Sequence, residues 1–313
     1  TPWYSMGSDA ADFNNDGRLD LFALDMAATS HFKQKTSMGD MSSKQRFLKT
    51  AEPRQYMRNC LFLNTGTDRF QEAAHMAGLA SSDWSWAAKA ADFDNDGMVD
   101  LFVTNGMART FTNSDILQTI TYNMRFGKTD WELFADKPPQ REANLAFANQ
   151  GDLRFNETAR TWGLDHVGMS YSSAYGDLDG DGDLDLIVSN LDELTHVYRN
   201  DAEEGNRLLI ELRGNGSHSS GLGARVVARV GSRTFVRQAN PFTGFLCSND
   251  PAIHLGLGEI SRLDELLVHW PSGIVQSLTN ISANRRLVIE EPKEQPKPAA
   301  VTRVPWFVAW DLF

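Results

Sequence analysis

The chain has 313 residues, 41% of them hydrophobic, with 30 Lys and Arg against 41 Asp and Glu and a formal charge of −11. That length holds about two domains around a substantial core, and the acidic balance argues against non-specific nucleic-acid binding. Two cysteines, Cys60 and Cys247, rule out a disulfide scaffold or a Cys-rich zinc protein, and no apolar run reaches the ~18 residues that a membrane-spanning helix needs.

In chain order, an aromatic and small-residue strand (Trp3 to Ala11) leads into Asp12-Phe-Asn14-Asn-Asp16-Gly17-Arg18-Leu-Asp20 and then the apolar strand Leu21-Phe-Ala-Leu. Residues 26–58 break the β pattern, carry seven Lys/Arg against two acids, and predict a short helix capped at Ser42-Ser43 that ends before Pro53. Leu61-Phe-Leu-Asn64-Thr-Gly66 followed by Phe70-Gln-Glu72 is a hairpin signature. The sequence then repeats. Trp84 to Ala91 is a strand, Asp92-Phe-Asp94-Asn-Asp96-Gly97-Met98-Val-Asp100 a second loop, and Leu101-Phe-Val-Thr a second apolar strand. Residues 107–141 are another excursion, with a helix expected from Asn113 or Ser114 to Gly127. A second hairpin (Ala146 to Asn149, Gly151, Phe155-Asn-Glu157) precedes the strand Met169 to Gly176 and a third loop, Asp177-Leu-Asp179-Gly-Asp181-Gly182-Asp183-Leu-Asp185. A third hairpin starts at Val197-Tyr-Arg-Asn200 and is cut short by the linker Glu203 to Asn206.

Each full unit reads as about four short strands with a loop at one corner, the organisation of propeller blades. The two insertions account for a period of about 80 residues where a bare blade needs about 40 to 50. Residues 207–291 form a separate β-rich block with Gly-rich turns, which suggests a small sandwich-like domain. Residues 292–299 are a Pro-rich spacer, and Val304 to Phe313 is an apolar tail expected to dock on a neighbouring surface or uncovered edge. The chain opens inside a repeat unit without Met and reads as a piece of a longer protein, so the lack of a targeting segment is uninformative.

Oxygen side chains at loop positions 1, 3, 5 and 9, with Gly at 6 for the sharp turn and a backbone carbonyl at 7, suit a hard cation such as Ca²⁺. The side-chain ligands expected are Asp12, Asn14, Asp16 and Asp20; Asp92, Asp94, Asp96 and Asp100; and Asp177, Asp179, Asp181 and Asp185. Arg18, Met98 and Asp183 would supply the carbonyls. An EF-hand instead places Glu at position 12 between helices, and these loops run into strands. Three copies make ordinary acidic turns a poor explanation. Three Ca²⁺ ions would bring the net charge from −11 to about −5. Asn14 in place of Asp should weaken the first site.

These loops and strands resemble FG-GAP (VCBS-type) repeats. The second block, through Gly221-Leu-Gly-Ala-Arg225, Gly244 to Asp250, His254 to Gly258, Trp270-Pro-Ser-Gly273 and Glu290-Glu-Pro292, resembles the ASPIC/UnbV domain. Repeats followed by that domain resemble the cartilage acidic protein family, which implies an exported, calcium-binding, propeller-shaped protein with about seven blades when complete. The expected architecture is all-β: a partial β-propeller of FG-GAP-type blades with short helical insertions over 1–203, an ASPIC/UnbV β-sandwich-like domain over 204–291, and the spacer and tail over 292–313.

The function expected is a secreted or cell-surface recognition or adhesion module with about three structural Ca²⁺ ions, binding an extracellular protein or polysaccharide. At millimolar affinities typical of extracellular modules each ion would add about 0.4–1.4 kcal/mol. An enzyme is the alternative, and a non-binding structural segment a third. Gly168-Met-Ser170-Tyr-Ser172 lacks the second Gly of a nucleophile elbow, no His-Glu-x-x-His occurs, and Gly221-Leu-Gly223 lacks a dinucleotide context. His254 and His269 lie in strand-like segments and read as structural; Trp84, Trp86 and Trp162 read as core rather than sugar platforms. Lys33, Lys35 and Arg46 form a basic patch that is either a solvated face or an acidic-polysaccharide contact. Cys60 and Cys247 either pair or remain buried thiols.

Overall fold

Each Asp-rich loop joins two antiparallel strands, and its position-6 glycine makes the turn: Gly17, Gly97 and Gly182 have φ of 88°, 93° and 95°, a region closed to most side chains. A computed structural model describes residues 2, 4–36, 56–110, 113–114, 116, 129–202 and 205–293. Its first part contains β1 (Ser8–Ala11), β2 (Asp20–Ala23), β3 (Met26–Ala27), α1 (His31–Thr36), β4 (Cys60–Asn64), β5 (Phe70–Glu72) and α2 (Ala74–Ala77). Next come β6 (Asp83–Ala91), β7 (Asp100–Asn105), α3 (Asp130–Phe134), β8 (Glu142–Ala143), β9 (Leu145–Asn149) and β10 (Phe155–Glu157). Then follow β11 (Val167–Gly168), β12 (Ser170–Gly176), β13 (Asp185–Asn190) and β14 (His196–Tyr198).

These strands build three successive blades. The first is ordered β1-β2-β4-β5, the second β3-β6-β7-β9-β10, and the third β12-β13-β14. The strands within each blade are antiparallel. Residues facing the neighbouring blade are apolar because that is where water is excluded. Phe13, Phe22, Leu61, Leu79 and Leu101 form the seam between blades one and two; Phe93, Phe102, Leu184 and Leu186 begin the seam between blades two and three. Burying one such side chain stabilises by about 1.5–3 kcal/mol. The partial propeller expected from the repeats is what forms.

The second part comprises β15 (Asn206–Arg213), β16 (Arg225–Val230), β17 (Arg233–Gln238), β18 (Ile253–Gly258), β19 (Arg262–His269), β20 (Val275–Ser282) and β21 (Arg285–Glu290). Two sheets, β18-β15-β21 and β17-β16-β19-β20, enclose a core that includes Leu208, Ile210, Val226, Phe235, Leu266 and Trp270. The sandwich is therefore present. β15 and β21 pair in parallel. The sequence pattern missed β20 and β21, whose residues are mostly half-buried or exposed.

The two expected helices lie largely outside the described residues, but Ser114 and Ile116 are helical and Ile116 N donates to Asn113 Oδ1 at 3.4 Å, as the expected cap requires. The segment from Ser42 to Pro53 and most of 113–127 fall outside the described residues, as do Arg46 and the tail. α1, which the sequence pattern did not predict, starts after Ser30, whose Oγ accepts from Lys33 N at 3.2 Å. α3 starts at a capping box in which Thr129 N donates to Glu132 Oε2 (2.8 Å) and Glu132 N to Thr129 Oγ1 (3.4 Å). Lys33 is not part of a free basic patch. Its ammonium pairs with Asp83 Oδ2 (2.8 Å) and Glu142 Oε2 (2.5 Å) and fastens the first excursion to blade two.

The sandwich sits on the loop-bearing side of the blades. Lys89, fully buried in β6, donates to Thr243 O and Asn249 Oδ1, both at 2.8 Å. Burial pushes its ammonium pKa down, while Cys247 and Asp9 oppose that shift. Arg225 Nη2 donates to Gly17 O (2.7 Å), and Asp250 N to Tyr175 O (3.1 Å). Gly256 of β18 meets the second loop so closely that a Cβ there would stand 2.0 Å from Asp92 Oδ2 and 2.9 Å from Asn95 Cα. Gly256→Ala is therefore expected to loosen the docking, read as faster protease cleavage between residues 200 and 207. Unchanged cleavage would mean the contact is not tight in solution.

Candidate metal centres

The second loop carries four carboxylates, Asp92, Asp94, Asp96 and Asp100. Asp92 Oδ2 accepts from Gly97 N at 2.9 Å, whereas its Oδ1 is buried without any hydrogen-bond partner. Asp94 Oδ1 accepts from Asp96 N (3.3 Å) and Asp96 Oδ1 from Met98 N (2.6 Å). Asp100 uses both oxygens, taking Phe93 N on Oδ2 and Asn149 N on Oδ1, each at 2.9 Å. Carboxylate oxygens of Asp92, Asp94 and Asp100 lie within 4.8 Å of one another. Burial, joined by the charges of Asp96 and Asp94, pushes the Asp92 carboxyl up to about 8. Burial first, then Asp94 and Asp92, likewise raises Asp100, and burial with Asp96 raises Asp94. A divalent cation would remove that repulsion, and oxygen-only donors fit calcium chemistry. The orphaned Asp92 Oδ1 is the atom such an ion would satisfy.

The third loop is arranged similarly. Asp177 Oδ1 accepts from Gly180 N (2.8 Å), Asp179 Oδ1 from Asp181 N (3.3 Å) and Asp181 Oδ1 from Asp183 N (2.8 Å). Asp185 takes Leu178 N (2.8 Å) and Asn200 N (2.9 Å). Asp177, Asp179 and Asp185 form the second three-carboxylate cluster found among the described residues. The Asp183 side chain turns away from its loop to Asn95 Nδ2 and Arg207 Nε, each 2.8 Å away.

The first loop differs by more than its Asn. Asp12 has both oxygens engaged, by Asp16 N (2.9 Å) and Gly17 N (2.8 Å). Asp16 Oδ2 is held by Asn14 Nδ2 (3.0 Å) and by Arg18 Nη2 (2.5 Å). Asp20 accepts from Phe13 N (3.1 Å) and Asn64 N (2.8 Å). Burial raises Asp12 and Asp20 to about 6 each. Arg18, expected to lend only its carbonyl, therefore also neutralises this loop with its side chain.

Sequence reasoning missed the asparagines that brace the loops. Asn64, Asn149 and Asn200 each donate a backbone N–H to the position-9 Asp and accept on Oδ1 from a turn N–H, that of Gly66, Gly151 or Ala202. Asn149 Nδ2 reaches back to Phe13 O (2.9 Å) and Asn200 Nδ2 to Phe93 O (2.7 Å), so each latch spans two blades. Asn15 Nδ2 donates to Gly97 O (3.0 Å). The only signal was Asn before a turn, which reads equally well as turn chemistry.

The residues weighed for catalysis are placed as follows. Ser170 Oγ is buried between Asn144 Nδ2 (3.0 Å) and Asn190 Oδ1 (2.7 Å). His254 is buried in β18, and burial with the charges of Arg237 and Arg207 takes its pKa down to about 3, so it stays neutral. His269 lies in β19, and burial lowers its pKa too. Trp86 packs its ring in tilted contact with Tyr171 and Phe245. Cys60 and Cys247 are free thiols.

Blades with Asp-rich corner loops, followed by a docked β-sandwich, make this a propeller segment joined to a β-sandwich domain. The sequence comparisons agree: an FG-GAP-like repeat matches residues 51–103, and the ASPIC and UnbV family matches residues 214–296. The chain is similar to Cartilage acidic protein 1 of Homo sapiens, 26% identical over 264 residues covering 74% of this chain and 40% of that protein. It is similar also to Cartilage acidic protein 1 of Mus musculus (26% over 273 residues; 76% and 42%) and of Xenopus tropicalis (27% over 274 residues; 75% and 42%). The chain thus spans about 40% of the length of these relatives. Among the described residues no helix is long and apolar enough to cross a membrane.

Proposed function

We propose that this chain is a calcium-stabilised extracellular recognition module, secreted or displayed at a cell surface, whose ligand is a protein or polysaccharide. The observation that carries the reading is Asp92 Oδ1, a buried and unpartnered carboxylate oxygen among raised acidic neighbours. A polar atom in that state costs about 1–3 kcal/mol unless something binds it. Ca²⁺ supplies the opposing charge and cross-braces each loop; Arg18, Met98 and Asp183 would add carbonyls. The second and third loops would bind more tightly than the first, where Arg18 already offsets Asp16. The similarity to proteins named for cartilage and acidity supports an extracellular setting, and that name is not an enzyme's. Binding rather than catalysis also accords with Ser170, whose hydroxyl is buried between Asn144 and Asn190.

Asp96→Ala and Asp181→Ala are each expected to lower the calcium count by one when bound ion is counted by calorimetry. An unchanged count in both variants would remove the ligand assignment.

A further inference from the structure

The fourth residue of the first two Asp-rich loops reaches out of its own loop and into the next. Asn15, Asn95 and Gly180 hold this place, with φ of 53°, 62° and 83°, a left-handed backbone that Asn tolerates better than most side chains. Asn15 lies between Asn14 and Asp16, and its Nδ2 donates to Gly97 O (3.0 Å) and meets Met98 Sδ (2.9 Å) in the second loop. Asn95 lies buried between Asp94 and Asp96, and its Nδ2 donates to Asp183 Oδ1 (2.8 Å) in the third loop. Gly180 has no side chain to extend.

Both amides land at the seventh position of the next loop. Asn15 holds the peptide between Gly97 and Met98, and the N–H of that peptide donates to Asp96 Oδ1 at 2.6 Å. Asn95 holds Asp183, whose own N donates to Asp181 Oδ1 at 2.8 Å. Met98 and Asp183 are the residues whose carbonyls would complete the second and third shells. Each asparagine therefore stands between side-chain ligands of one candidate site and grips the carbonyl-bearing residue of the next. Asp183 also pairs with Arg207 Nε (2.8 Å), and Arg207 Nη2 donates to Asp181 O (2.5 Å), so the line of contacts ends on β15 of the sandwich.

We propose that Asn15 and Asn95 couple the three loops in series, so that calcium in one loop raises the calcium affinity of the next. The proposal rests on the calcium reading above. Without metal the carboxylates of a loop repel one another and loosen it. Once Asp94 and Asp96 are committed to an ion, the Asn95 between them is fixed, and its amide holds Asp183 in place before the third loop fills. Asn15, between Asn14 and Asp16, does the same for the Gly97–Met98 peptide. Ordering that one loop has already undergone lowers the ordering cost of the next, which is positive cooperativity. One side-chain hydrogen bond sets the size of the effect, about fivefold in affinity. The coupling is reciprocal, so the third site must tighten the second by the same factor.

Hydrogen exchange of the whole chain, followed against calcium in peptides spanning residues 92–100 and 177–185, gives each loop its own midpoint. Asp94→Ala, which disables the second site, is expected to raise the midpoint of the third loop about fivefold. Asp179→Ala should raise that of the second loop by the same factor. Asn95→Gly puts in the second loop the residue that the third carries at that place, and so keeps the left-handed backbone. In that background both shifts should vanish, with the third loop still binding at its weaker midpoint. The first step is read in the same way: Asp16→Ala should raise the midpoint of the second loop, and should not do so beside Asn15→Gly. Midpoints unmoved by Asp94→Ala and Asp16→Ala, or moved equally with and without the asparagines, overturn the coupling and leave the calcium reading standing. No response to calcium in any loop overturns both.

Discussion

Asp100→Ala is expected to lower the unfolding free energy by roughly 3–5 kcal/mol even in EDTA. The side chain is fully buried, and its two oxygens hold Phe93 N and Asn149 N. Removing it leaves two buried N–H groups unpaired, each costing about 1–3 kcal/mol. The damage does not stay in one blade, because Asn149 also bonds Phe13 O of the preceding blade. In calcium the deficit should widen by about 0.4–1.4 kcal/mol, the contribution of one lost site at extracellular affinities. Denaturant unfolding of the variant beside exposed Asp68→Ala, expected to move stability by less than about 0.5 kcal/mol, makes the comparison. An Asp100→Ala protein as stable as the control in EDTA would contradict the bracing role.

Glu291→Gln is expected to cost the sandwich roughly 2–4 kcal/mol near neutral pH. One oxygen of the buried Glu291 carboxylate accepts from Asn215 N, Gly216 N and Ser217 N at 2.7–2.8 Å. The other accepts from Ser217 Oγ (2.9 Å) and Ser272 Oγ (2.5 Å). Gln presents an amide NH₂ where one of these oxygens accepted, and bonds to a charged acceptor are worth about 1.5–3 kcal/mol. Burial alone would raise the Glu291 carboxyl, but hydrogen bonds from Ser272, Ser217 and Asn215 outweigh it and hold the pKa at about 2. The folded pKa lies below the ordinary glutamate value of 4.5. The stabilisation is therefore complete above that value and is lost as pH falls through about 2. The gap between wild type and Glu291→Gln should shrink across that window in urea unfolding. A pH-independent gap would show that packing rather than charge makes the difference.

What could be read in the sequence was local. Loop spacing, Gly at position 6 and the Asn-x-Gly and Phe-x-Glu hairpins each lie within about ten residues, so pattern alone placed the blades and the candidate ligands. The contacts that join blades were not legible. Asn149 and Asn200 looked like turn residues, and their reach to Phe13 and Phe93 depends on how the blades stack. Nor could pattern show that Arg18 folds back on Asp16, or that Lys89, inside an apolar run, is satisfied by Thr243 and Asn249 from the other domain. β20 and β21 escaped because their side chains face neither a clean core nor clean solvent. Helix α3 was legible in Thr129-Asp-Trp-Glu132 and was overlooked.

The most direct test is a count of bound calcium by titration calorimetry, paired with thermal unfolding of the same protein in calcium and in EDTA. Two tighter ions, a weaker third and a melting temperature that climbs with calcium are predicted, because two loops present three-carboxylate clusters and the first is partly neutralised by Arg18. No binding heat and superimposable melting curves would contradict the account and leave the loops as acidic turns braced only by their own backbone.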